Sequence, residues 1–185
     1  MSQPVESVRG QLLVASPALL DPNFLRTVVL VVEHNEEGAF GLVLSRPSST
    51  LVTDAVPQLA ELVDGEALVH VGGPVEQGAV TVVAEFDDPS DAGVLAFARI
   101  GLLPADGDPA LLAASTRRAR AFAGYAGWGA GQLESELAEE AWIVEAPEPG
   151  DVFTQAPGEL WSAVLRRKGG QYALVARMPL DPSVN

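Results

Sequence analysis

The chain has 185 residues, 48% of them hydrophobic and 19% charged, which suits one globular domain with its own core and excludes a disordered chain. Its 25 acids against 11 bases give a formal net charge of −14, which opposes binding to a polyanion because phosphate contacts draw on Lys and Arg. There is no cysteine, so disulfides, thiolate metal sites and cysteine nucleophiles are excluded.

The opening stretch from Met1 to Arg9 lacks the basic start and apolar stretch of a signal peptide. Leu12 to Ala15 reads as a short strand ended by Ser16-Pro17, and Asp21-Pro22-Asn23 as a turn. Thr27 to Glu33 is apolar on both faces, which predicts a central strand covered on both sides. Its apolar run, Val28 to Val32, is far too short to span a bilayer. The expected location is cytoplasmic, with no membrane partner. Asn35-Glu36-Glu37-Gly38 has hairpin chemistry, and Ala39 to Ser45 is the returning strand, stopped by Arg46-Pro47.

Leu51 to Val63 has a helical pattern interrupted by Pro57. Leu68 to Val71 predicts a strand broken by Gly72-Gly73-Pro74, and Ala79 to Glu85 another strand. Asp87 to Asp91 reads as a solvated loop. Asp108-Pro109 starts a helix running to about Ser115. Arg118 to Gly127 alternates as a strand, with Ala119, Ala121, Ala123 and Tyr125 on one face and Arg118, Arg120 and Phe122 on the other. Leu133, Leu137, Ala138 and Ala141 form a helical stripe, Trp142 to Val144 a strand, and Leu160, Trp161, Val164 and Leu165 a second stripe on a helix closed by Gly169-Gly170. Tyr172 to Ala176 reads as a last strand. Together these elements predict an α+β domain over residues 1–185 with a mainly antiparallel, curved sheet.

No nucleophile elbow, phosphate loop or paired-histidine zinc motif is present. With two histidines and no cysteine, a metal site would need carboxylates, so neither a metal nor another cofactor is expected. His34 stands at the end of the buried strand, its neighbour Glu33 facing the opposite way. It either fixes the mouth of the hairpin or contributes to binding. His70, between Val69 and Val71, reads as structural. Arg166-Arg167-Lys168 complements a helix C-terminus, and Glu134, Glu136, Glu139 and Glu140 read as a solvated helix face. The glycine-rich run Gly124 to Gln132 joins a strand to a helix and allows either tight packing around Trp128 or a close approach to an anion.

Four stretches together resemble the YqgE/AlgH family. They are Gly10 to Ala15 with Asp21-Pro22-Asn23-Phe24, the run Glu33 to Pro47, Gly72-Gly73-Pro74-Val75, and Gly124 to Leu133 with Glu134. Phe40 and Ser45 stand where members of that family usually have Met and Asn. The resemblance implies a bifurcated, mostly antiparallel sheet curled into a pseudo-barrel with flanking helices. It implies no reaction, cofactor or catalytic residue. The family's usual label is transcriptional regulator, attached through alginate regulation, without a recognised DNA-binding motif.

Two functional readings follow. One is a non-enzymatic regulatory or binding protein that acts through a protein partner or small ligand, without direct nucleic-acid binding. The other is an enzyme or nucleotide binder with a pocket between the His34 hairpin and the Trp128 loop. Its expected ligand-binding residues are His34, Asn35, Arg46, Trp128, Gly129 and Gln132, provided the two loops meet and the sheet curls enough to bring in Arg46.

Overall fold

A computed structural model describes residues 6–179. The strands in chain order are β1 (Leu12–Ala15), β2 (Val28–Asn35), β3 (Gly38–Val43), β4 (Pro47–Leu51), β5 (Leu68–Val71), β6 (Val75–Phe86), β7 (Val94–Phe97), β8 (Ile100–Leu102), β9 (Thr116–Gly129) and β10 (Trp142–Glu145). The helices are α1 (Val52–Ala55), α2 (Pro109–Ala113), α3 (Gln132–Ala138), α4 (Pro149–Val152), α5 (Leu160–Lys168) and α6 (Gln171–Val175). The α+β architecture is as expected, and the sheet remains open. Its main path runs β10-β1-β2-β3-β9-β6-β8-β7, while β4 and β5 branch off it through β9.

The fork in the sheet lies on β9. Gly41 to Gly38 of β3 pair with Ala126 to Gly129, whereas β6 takes Thr116 to Ala123 and β5 lies parallel at Phe122 and Ala123. β2 is central, as its two apolar faces require, between β1 and β3. Val28, Leu30 and Val32 enter one core cluster, and Val29 and Val31 enter another. Each such side chain, once fully buried, contributes about 1.5–3 kcal/mol.

A bulge and a kink alter the simple alternation. The register of β2 against β3 shifts between Val31 and Glu33, so Val32 is extra and His34 comes opposite Ala39. His34 therefore lies on the face of Val31 and not on that of Val32. On β9 the break is Gly124, at φ 74°. Ala119 and Ala123 pack in one cluster with Ala121, but Tyr125 joins the cluster of Phe122, which corrects the single face expected from strict alternation.

The segment Tyr172 to Ala176, expected as a strand, is helical. It forms α6 and folds back on α5, with Ser162 Oγ donating to Ala176 O at 3.1 Å. A five-residue apolar run does not distinguish the two periods, and Tyr172 and Val175, three apart on a helix, both reach the core. The helical pattern from Leu51 resolves into α1 and a single 3-10 turn at Pro57–Leu59. Asp108 caps α2 as predicted, accepting from the Ala110 N–H at 3.0 Å.

The basic residues at the end of α5 make specific contacts. Arg167 holds Asp151 through two bonds of 2.9 and 2.8 Å. Lys168 donates to Val144 O at 2.9 Å, on the edge strand β10. On the other face of α5, Leu160, Trp161, Val164 and Leu165 are buried, and Trp161 Nε1 donates to Ala15 O at 2.9 Å.

Candidate functional site

The bulge in β2 and the register of β3 against β9 set His34, Ala39 and Trp128 side by side across three strands. Directly opposed residues share a face, so the His34 hairpin and the Trp128 loop do meet, and α3 lies across them. His34 is buried, and both ring nitrogens are engaged. Nδ1 accepts the Val8 N–H at 3.1 Å, so Nε2 carries the proton and donates to Glu134 Oε1 at 2.8 Å. Its own backbone N–H, and then His34, hold the Glu134 carboxyl below the usual range. The second Glu134 oxygen is buried and has no partner among the described residues.

The neighbouring carboxylate collects the indoles. Glu136 Oε2 accepts Trp128 Nε1 at 2.9 Å and Trp142 Nε1 at 2.8 Å, while Glu136 Oε1 accepts Gln132 Nε2 at 3.2 Å. Gln132 Oε1 in turn accepts the Gly129 N–H at 3.0 Å. Phe24 completes an aromatic trio, 6.1 Å from Trp128 and 5.5 Å from Trp142 between ring centres. Glu134 and Glu136 therefore do not belong to the solvated face expected for α3. The 3.6-residue period gave no sign of this, because the acceptors are wanted by two indoles and a histidine from other elements.

The remaining expected residues lie apart from this cluster or at its rim. Asn35 is exposed, and its Oδ1 accepts the Glu37 N–H at 2.8 Å, closing the hairpin. Outside the hairpin, Glu33, Asn35, Glu37, Phe40 and Trp128 border a shallow depression of about 200 Å³. Arg46 does not join the cluster. Its guanidinium donates to the carbonyls of Asn23, Pro22 and Leu25 at 2.8, 2.9 and 3.2 Å. It secures the loop that delivers Phe24, and its burial pulls its pKa down while Asp21 offsets this.

The glycine motifs meet each other backbone to backbone. A Cβ on Gly73 would lie 2.1 Å from Tyr125 O, and one on Gly124 would lie 2.5 Å from Gly73 O. These glycines permit the Gly72–Pro74 link from β5 to β6 to pass against β9, and no anion is needed to account for them.

A larger groove lies elsewhere, at the edge of β9. It encloses about 580 Å³ between the Leu62–Leu68 segment, His70, the arginines at 117, 118 and 120, and Phe153 with Gln155. Sequence reading missed it because its walls come from three distant stretches. The one sequence signal was Arg120, a charge on the same strand face as buried Phe122. Among the described residues, no group of three or more His, Asp or Glu side chains could hold a metal. No described helix is long and apolar enough to cross a membrane.

Comparison with known proteins agrees with this architecture. A UPF0301 protein of Streptomyces avermitilis is 46% identical over 98% of this chain and 97% of its own. The crystal structure of a Corynebacterium diphtheriae protein superposes with a TM-score of 0.84 at 28% identity, covering 95% of this chain and 94% of that one. The solution structure of AlgH from Pseudomonas aeruginosa gives a TM-score of 0.68 at 31% identity and covers 97% of each chain. The AlgH-like family model matches residues 12–173, and with these relatives it shows that the chain belongs to the AlgH-like family.

Proposed function

We propose that the chain is a non-enzymatic binding protein of regulatory type, acting through a small ligand or a protein partner and not by contacting DNA itself. The observation that carries this reading is the state of the family-motif side chains. His34, Trp128, Gln132 and Arg46 all spend their polar groups on neighbouring parts of the same chain. A general base needs a free lone pair within reach of substrate, and the His34 lone pair is held by the Val8 N–H. The cluster acts as a lock between α3 and the sheet. The charge of −14 and the engaged Arg167 and Lys168 argue against a groove-reading basic surface.

The test is to incubate the purified protein with a mixture of cellular metabolites and analyse both the retained and the free fractions by mass spectrometry. The reading expects at least one metabolite to be retained and none to be consumed. Consumption of a metabolite would contradict the non-enzymatic reading. Sequence-dependent retention of duplex DNA at 150 mM salt, on the order of physiological ionic strength, would contradict the exclusion of DNA.

A further inference from the structure

The groove beside β9 holds one of the buried polar atoms that have no partner among the described residues. Arg117 is paired with Asp87 at 2.9 Å, and Arg118 with Glu85 at 2.6 Å, its guanidinium lying over the Phe153 ring. Arg120, half-buried between them and His70, donates one bond, to Val152 O at 2.9 Å. Among the described residues no carboxylate pairs with it.

His70 is 4% exposed, packed 5.7 Å from the Phe122 ring. Its Nδ1 lies 3.2 Å from Leu68 O, a carbonyl that can only accept, so Nδ1 carries the proton and Nε2 is a bare acceptor. That Nε2 is buried and has no partner among the described residues. A buried acceptor without a donor costs stability and calls for an explanation. The ring cannot satisfy it by becoming protonated, because burial and the Arg120 charge both favour the neutral form. Across the groove, Asp64 and Glu66 are exposed acceptors.

We propose that this groove binds a small anion that also carries hydroxyl or N–H donors, with Arg120 taking the anionic group and His70 Nε2 accepting from a donor. This deepens the binding-protein reading and rests on it. A volume of about 580 Å³ is in the range of small-molecule sites. The guanidinium supplies a planar pair of donors suited to carboxylate or phosphate. The acidic residues opposite fix the orientation, since they repel the anionic end and accept from its hydroxyls. A metal cation is disfavoured at His70 by the neighbouring arginine.

Isotope-labelled protein is titrated by NMR with glycerol 3-phosphate, L-malate and AMP, with methyl phosphate as the anion that lacks an alcohol hydroxyl or N–H donor. We expect at least one of the three to shift the His70 imidazole and Arg120 side-chain signals to saturation, and methyl phosphate to bind at least tenfold more weakly. Arg120→Gln is expected to weaken binding at least tenfold, with the backbone spectrum unchanged. Should that variant not fold, His70→Phe serves instead. It is expected to remove the advantage of the hydroxylated ligands over methyl phosphate. Saturation of none of the three overturns the proposal, as does unchanged binding in both variants. Saturable shifts confined to residues outside the groove overturn this site but leave the binding-protein reading standing. Consumption of a ligand seated in the groove supports the site and overturns the non-enzymatic reading. An Asp-rich hexapeptide is titrated in parallel. If it alone shifts the backbone amides of residues 117–121, the groove is a strand-docking edge and the small-anion proposal fails.

Discussion

The two histidines have opposite circumstances, and hydrogen bonding explains why. His34 has a partner for each nitrogen, whereas His70 has one partner and, among the described residues, none for its Nε2. Burial, and then the Arg120 charge, lower the His70 pKa from 6.5 to about 4, with the Leu68 carbonyl opposing them. Between those values the unfolded chain binds more protons than the folded one. The stability linked to His70 is thus complete above pH 6.5 and is lost as pH falls toward 4. The full shift corresponds to at most about 3 kcal/mol. Urea unfolding at several pH values should show this slope in the natural chain and a flatter one in His70→Phe. An equally steep slope in the variant would show that other groups carry it.

At the scale of elements, the crossing of β9 by the link from β5 to β6 depends on the absence of side chains. Gly124 has φ 74°, and a Cβ there would lie 2.5 Å from Gly73 O and 2.9 Å from Val75 O. Neither obstacle is a flexible side-chain end. Gly124→Ala is expected to cost at least about 2 kcal/mol, from backbone strain together with displacement of the Gly73–Val75 backbone from β9. Gly65→Ala, with open space around its Cβ position, is the control and should shift the denaturation midpoint little. Equal midpoints for the two variants would contradict the close approach described here. The same crossing shows what the sequence could reveal. The positions of β1, β5 and the α2 cap were legible because turn residues and a capping Asp mark them locally. The bulge at Val32 and the positive-φ kink at Gly124 were not, because each changes which face the following side chain occupies without changing composition. β4 pairs with β5 across the intervening α1 segment, β7 and β8 form a tight hairpin of strands only four and three residues long, too short to show a period, and α6 is set by its packing on α5.

For the whole molecule, the candidate site was half legible. The meeting of His34 with Trp128 could be expected from two strand ends bordering one sheet, and the structure brings them together. Their locking by Glu134 and Glu136 could not, since a glutamate on a short amphipathic helix reads as solvated until its tertiary partners are known. The groove at Arg120 was hidden for a similar reason, its walls lying more than eighty residues apart along the chain, from Leu62 to Gln155. His34, Trp128, Gln132 and Glu134 of the family motifs build the junction of helix α3 with the sheet. The most direct test is the free energy of unfolding of His34→Ala and Trp128→Phe in urea at neutral pH. His34→Ala strands the Val8 N–H and Glu134, which should cost about 2 kcal/mol, and Trp128→Phe removes one bond to a carboxylate, which should cost about 1–2 kcal/mol. Losses of that size are the predicted result. Stability equal to that of the natural chain in both variants would contradict the account and return these residues to the role of a binding or catalytic site.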